Sequence, residues 1–73
     1  MPQYRFTTIR DLNTFSTILQ KNWVVEVKCI AQNNPLLLIE DRMKIAAAVE
    51  QKYDTVCNPL SVNLHNFKIE KLE

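Results

Sequence analysis

A chain of 73 residues has room for one hydrophobic core, so a single domain spanning 1–73 is expected. Its 47% hydrophobic and 23% charged residues exclude a disordered chain, and a net charge of +1 with the two signs interleaved excludes a basic polyanion-binding arm or an acidic tail. The complete absence of glycine excludes the Walker loop and the dinucleotide fingerprint, since each needs positive φ and close backbone approach to phosphate.

No charged-then-apolar leader follows Met1, and no apolar run approaches the ~20 residues that cross a bilayer. Cys29 and Cys57 lie far apart without paired spacing. Reduced, packed thiols in a cytoplasmic protein, with no membrane association, are therefore expected.

Along the chain, Tyr4, Phe6 and Thr8 alternate with Arg5 and Thr7, which predicts a first strand. Thr8 and Asp11 have capping-box spacing, and Leu12, Phe15, Ile18 and Leu19 then recur at helical intervals. A first helix from about Ile9, closed by Lys21 and Asn22, is expected. The stretch from Trp23 to Ile39 predicts a hairpin: an alternating arm, a turn at Gln32–Pro35, and an interior strand at Leu36–Ile39, apolar on both faces.

Asp41 is a candidate cap for a second helix, roughly Arg42 to Tyr53. After a loop at Asp54–Pro59, Leu60, Val62 and Leu64 alternate, and Phe67 and Ile69 continue one residue out of phase. That slip predicts a bulged strand or a short extra hairpin, with the tail Glu70–Glu73 fraying.

The expected class is α+β: a small antiparallel sheet with two helices in β-α-β-β-α-β order, the ferredoxin-like or split βαβ arrangement, with a possible extra C-terminal strand. Helices on both faces or at the sheet ends are the alternative. If the helices cover Tyr4, Phe6, Val25, Val27, Phe67 and Ile69, the open face carries Arg5, Thr7, Val24, Glu26, Lys28, Lys68 and Glu70.

That face has alternating charge and no aromatics on its central positions, so an RNA-stacking platform is disfavoured. The signatures of other occupants of this fold are also missing: no paired cysteines follow the first strand, and Arg10 stands without a glycine anion loop. Fold alone implies no function.

The candidate chemistry is sparse. Cys57, His65 and Asp54 could form a nucleophile, base and orienting acid for a small hydrolase, but no recognisable oxyanion site accompanies them. With Cys29 they lack the close-spaced pairs of a zinc site. Glu40 and Asp41 are adjacent carboxylates better explained by helix capping. No cofactor is expected, and the chain is read as a non-enzyme.

Trp23 is either a core anchor or an interface residue. The segment Val56–Leu64, with Val56, Cys57, Leu60, Val62 and Leu64 and little charge, is either core cover or an uncovered edge. The leading expectation is a protein–protein interaction module: an accessory or regulatory subunit, or a phage-type inhibitor. It would act through Trp23, Val56, Leu60, Val62 and Leu64, with a homodimer through that edge as its simplest form. The alternative is a nucleic-acid-binding domain using Arg5, Lys28 and Lys68 on the open sheet face.

Overall fold

A computed structural model describes residues 1–72. The chain forms β1 (Gln3–Thr8), β2 (Leu12–Asn13), β3 (Ile18–Leu19), β4 (Val24–Lys28), one long helix α1 (Ile39–Tyr53) and β5 (Phe67–Lys71). Single 3₁₀ turns at Pro35–Leu37 and Pro59–Ser61 flank α1 in sequence. The class is α+β, with a three-stranded antiparallel sheet in the order β4-β1-β5 and a two-stranded ribbon, β2-β3. No helix among the described residues is long and apolar enough to cross a membrane.

Alternation sets the main sheet. Tyr4, Phe6 and Thr8 of β1 turn inward with Val25 of β4 and Phe67 of β5, and α1 adds Ile45, Ala46 and Val49 to the same core. Fully burying side chains of this size contributes about 1.5–3 kcal/mol each against an extended reference. The Tyr4 hydroxyl, buried with its ring, donates to the carbonyls of Gln32 at 2.6 Å and Ala31 at 3.1 Å, fixing the chain after β4.

Three elements depart from the sequence expectation. Residues 9–22 are no helix. Asp11, Asn13, Thr14, Ser16 and Thr17 all carry short polar side chains able to compete for backbone groups, and Asp11, Thr14 and Thr17 do so here. Thr14 Oγ1 accepts from the Thr17 N–H and its hydroxyl donates to the Thr17 carbonyl, both at 3.1 Å, which closes a turn instead of a helix. Leu12 then pairs with Leu19, so apolar positions spaced for a helix serve a ribbon equally well.

Leu36–Ile39 is no strand either. Pro35 opens a 3₁₀ turn capped by Asn34, whose Oδ1 accepts from the Leu36 N–H at 3.0 Å. α1 begins directly after it, at Ile39. The helix therefore starts earlier than expected, and Asp41 is not its cap. The buried Asp41 carboxylate reaches back instead, accepting from the N–H groups of Ile30 at 2.8 Å and Ala31 at 2.9 Å. The order is thus β-β-β-β-α-β with one helix, not the ferredoxin-like order with two.

The helix end is as expected at Tyr53. Asp54 takes the left-handed conformation, φ 52°, and its N–H donates to the Glu50 carbonyl. Asn22, φ 71°, makes the other left-handed turn, entering β4. Without glycine, these two positions fall to Asn and Asp, the next most tolerant side chains. The one-residue slip after Leu64 is neither a bulge nor a hairpin. It is a hydrogen-bonded turn, in which the N–H groups of Asn66 and Phe67 both donate to the Asn63 carbonyl, at 3.1 and 2.9 Å, before β5 starts at Phe67. Glu70 and Lys71 belong to β5 and do not fray; Glu73 lies outside the described residues.

Candidate functional site

The ribbon is tied down at its base, flank and tip. At the base, Thr8 Oγ1 donates to the Gln20 carbonyl and accepts from the Trp23 N–H, while Asp11 Oδ1 accepts from the Lys21 N–H at 2.8 Å. Along the flank, the Ile18 N–H donates to the Val56 carbonyl at 2.9 Å and Thr55 Oγ1 donates to the Ile18 carbonyl at 2.7 Å. Near the tip, the fully buried Thr17 hydroxyl shares a hydrogen bond with Ser61 Oγ at 2.9 Å and accepts from the Asn58 N–H at 2.9 Å.

These ties lock the ribbon against the 3₁₀ turn at Pro59–Ser61. They also decide what the ribbon displays. Phe15, at the apex of the Thr14–Thr17 turn, is completely exposed at 105%. Ile18 and Val56 are exposed beside each other on the flank, and Leu60 is 69% exposed on the turn that Thr17 holds. One end of the molecule therefore presents four exposed apolar side chains on a scaffold fixed by hydroxyl hydrogen bonds. The sequence pattern puts Phe15 on the apolar stripe of a helix and so misses it. The cluster of Thr, Ser and Asn around it was the available signal.

Of the residues expected to form an interface, Val56, Leu60 and Leu64 are exposed, the last at 65%. Val62 is not: at 0% exposure it belongs to the core, because the 3₁₀ turn rotates it away from its alternation partners. Nor is Val56–Leu64 a sheet edge, since it contains no strand.

Trp23 is half-buried and stacked on Tyr53, with ring centroids 4.3 Å apart and planes 8° from parallel. The Tyr53 hydroxyl accepts from the Val24 N–H at 2.7 Å and donates to its carbonyl at 3.1 Å, so the ring pair docks α1 on the outer edge of β4. Trp23 and Tyr53 line a shallow groove of about 520 Å³ together with Ile18 and Val56. The groove adjoins the apolar end.

The open sheet face is as expected, with Arg5 at its centre. Arg5 Nε donates to Glu26 Oε2 at 3.0 Å, and its guanidinium lies 4.0 Å from Glu70. Register puts Glu26 and Glu70 directly opposite Arg5 on the two neighbouring strands. Lys28 and Lys68 are exposed on the same face but Arg5 is engaged, which leaves little concentrated positive charge.

The chemical candidates are not assembled. Cys57 is buried and its N–H donates to Glu50 Oε2 at 3.0 Å; burial, and then the Glu50 charge, push its thiol up to about 11. Burial, and then Asp41, likewise raise Cys29 to about 11. Both remain thiols at neutral pH, the opposite of what a nucleophile requires. His65 and Asp54 are exposed, and no group of three His, Cys, Asp or Glu side chains among the described residues could hold a metal ion. Arg10 Nε donates to Asn66 Oδ1 at 2.9 Å, and Asn66 donates to the Ser61 carbonyl at 2.8 Å, a brace for the same turn that holds the ribbon. Neither a family model, nor a curated protein, nor a solved structure matches this chain.

Proposed function

We propose that the protein is a non-enzymatic protein–protein interaction module, an accessory or regulatory subunit or an inhibitor, that binds its partner through the ribbon end. The observation that carries this reading is Phe15: a wholly exposed aromatic on a turn fixed from three sides. Exposing it costs the free protein solvation that a partner's pocket would return, and aromatic anchors of this kind dominate interface energetics. Ile18, Val56 and Leu60 supply the surrounding apolar contact, and the Trp23–Tyr53 groove lengthens it. Because the ribbon is already ordered, binding loses little conformational entropy there.

The reading is tested by comparing proteins from the native cell retained by immobilised wild-type chain with those retained by Phe15→Asp/Leu60→Asp. A protein held by the first and lost by the second is expected. Equal retention by both would overturn the assignment to this end.

A further inference from the structure

Each edge of the sheet is covered at one end. On β4 the outward-pointing backbone of Val24 is covered: its N–H and carbonyl are taken by the Tyr53 hydroxyl, and the carbonyl also by Lys52 Nζ at 2.7 Å. Among the described residues the outward backbone groups of Glu26 and Lys28 have no such partner, and β5 is covered only at its first residue. The Ile9 N–H bonds to the Asn66 carbonyl and the Leu72 N–H to the Gln3 carbonyl, so 66, 68, 70 and 72 point toward β1. Phe67, Ile69 and Lys71 therefore point their backbone groups outward. Among the described residues, only the Phe67 N–H of these finds a partner, the Asn63 carbonyl at 2.9 Å.

Exposed edges are usually guarded by charge. The charges on β5 are of both signs, and their order matters. In antiparallel pairing of Phe67–Lys71 with itself about Ile69, Lys68 of each copy falls opposite Glu70 of the other, twice by symmetry. Pairing centred one residue earlier sets Lys68 against Lys68, and one residue later Glu70 against Glu70. Only the central register is electrostatically matched, and it also makes Ile69, half-buried at the edge, meet its own copy.

We propose that β5 is a self-association edge: two copies pair antiparallel through Phe67–Lys71 about a two-fold axis at Ile69, making one continuous sheet with both helices on the same side. The occupant is a second copy of this chain, and the surface is independent of Phe15 and the ribbon end. A pairing of one five-residue strand with its copy belongs with the small, transient contacts, for which association in the micromolar range is expected.

Sedimentation equilibrium from about 10 to about 500 µM spans that range, and wild type is expected to move from the 8.6 kDa chain mass toward twice that value. Lys68→Glu and Glu70→Lys should each weaken association about tenfold, by placing like charges opposite across the strands. The double exchange K68E/E70K should restore it. An intrachain effect predicts the reverse, because the double exchange places a lysine against Arg5.

Lys68→Ala and Glu70→Ala add no like charge and provide the same test at about threefold, with each variant's melting temperature checking that it folds. Phe15→Ala should leave the dimer intact. A strict monomer over the whole range, a dimer indifferent to residues 68 and 70, a double exchange weaker than either single one, or a dimer lost with Phe15 would each overturn the proposal.

Discussion

The sheet-and-helix half of the molecule is held by apolar burial: Tyr4, Phe6, Val25, Ile45, Val49 and Phe67 are all inside, although α1 leaves Ile39 and Met43 exposed. The ribbon-and-turn half buries Leu19 and Val62 in the same core but relies more on polar anchors. Its buried anchors include the hydroxyls of Thr8 and Thr17 and the amide of Asn66, while Phe15, Ile18, Leu60 and Leu64 stand in solvent. Each buried hydrogen bond contributes only about 1 kcal/mol, but several in one small region define its conformation well, because leaving any of these groups unpaired is costly. A region stabilised this way needs Leu19 and Val62 inside but not Phe15, Ile18, Leu60 or Leu64, which frees those four for a partner.

The comparison predicts where deletions hurt. Phe6→Ala removes a ring with 0% exposure from the centre of the sheet half and is expected to cost about 3–5 kcal/mol in urea unfolding. For a 73-residue domain, where total stability is on the order of 5 kcal/mol, the variant should be largely unfolded at ambient temperature. A loss below 1 kcal/mol would mean that the sheet half is not the stable part of the molecule.

In the ribbon half the corresponding change is polar. Thr17→Val keeps the side-chain shape but leaves the Asn58 N–H without its acceptor and removes the Ser61 contact. A loss of about 1–3 kcal/mol is expected from the unpaired buried N–H. Loss of protection at the Thr17 and Asn58 amides in hydrogen exchange would accompany it. If Thr17→Val were neutral or stabilising, apolar packing would govern both halves alike, and the contrast between them would fail.

The same division explains what could be read from the chain. In the sheet half, side-chain alternation follows burial directly, so β1, the first arm at Val24–Lys28, the end of α1 at Tyr53 and the faces of Arg5, Glu26, Lys68 and Glu70 are all legible. Elsewhere the pattern is degenerate. Leu12, Ile18 and Leu19 satisfy a helical period and a short ribbon equally, and only the density of Asp, Asn, Thr and Ser separates the two. The run Leu36–Ile39 is apolar throughout and so carries no period. Asn34-Pro35 before it is the start signal for a 3₁₀ turn leading into a helix. Val62 alternates with Leu60 and Leu64 in sequence but parts from them in space, because a 3₁₀ turn has a period of three. The candidate site was therefore legible at Trp23, Val56 and Leu60, and illegible at its most exposed member.

Phe15→Ala isolates that member. If Phe15 packed as one residue of a helical stripe, truncation would cost about 3–5 kcal/mol, as in any core. At 105% exposure on the ribbon apex it has nothing to lose, and the expected change in urea unfolding is within about 0.5 kcal/mol of zero. The sign is informative as well: removing an exposed aromatic lowers the apolar surface the native state shows to water, so a slight gain in solubility fits the same account. A stability loss above 1 kcal/mol would place the ring in a packed environment and remove the reason for expecting a partner there. Neutral stability, combined with loss of the protein captured through this end, would instead show a side chain retained for binding alone.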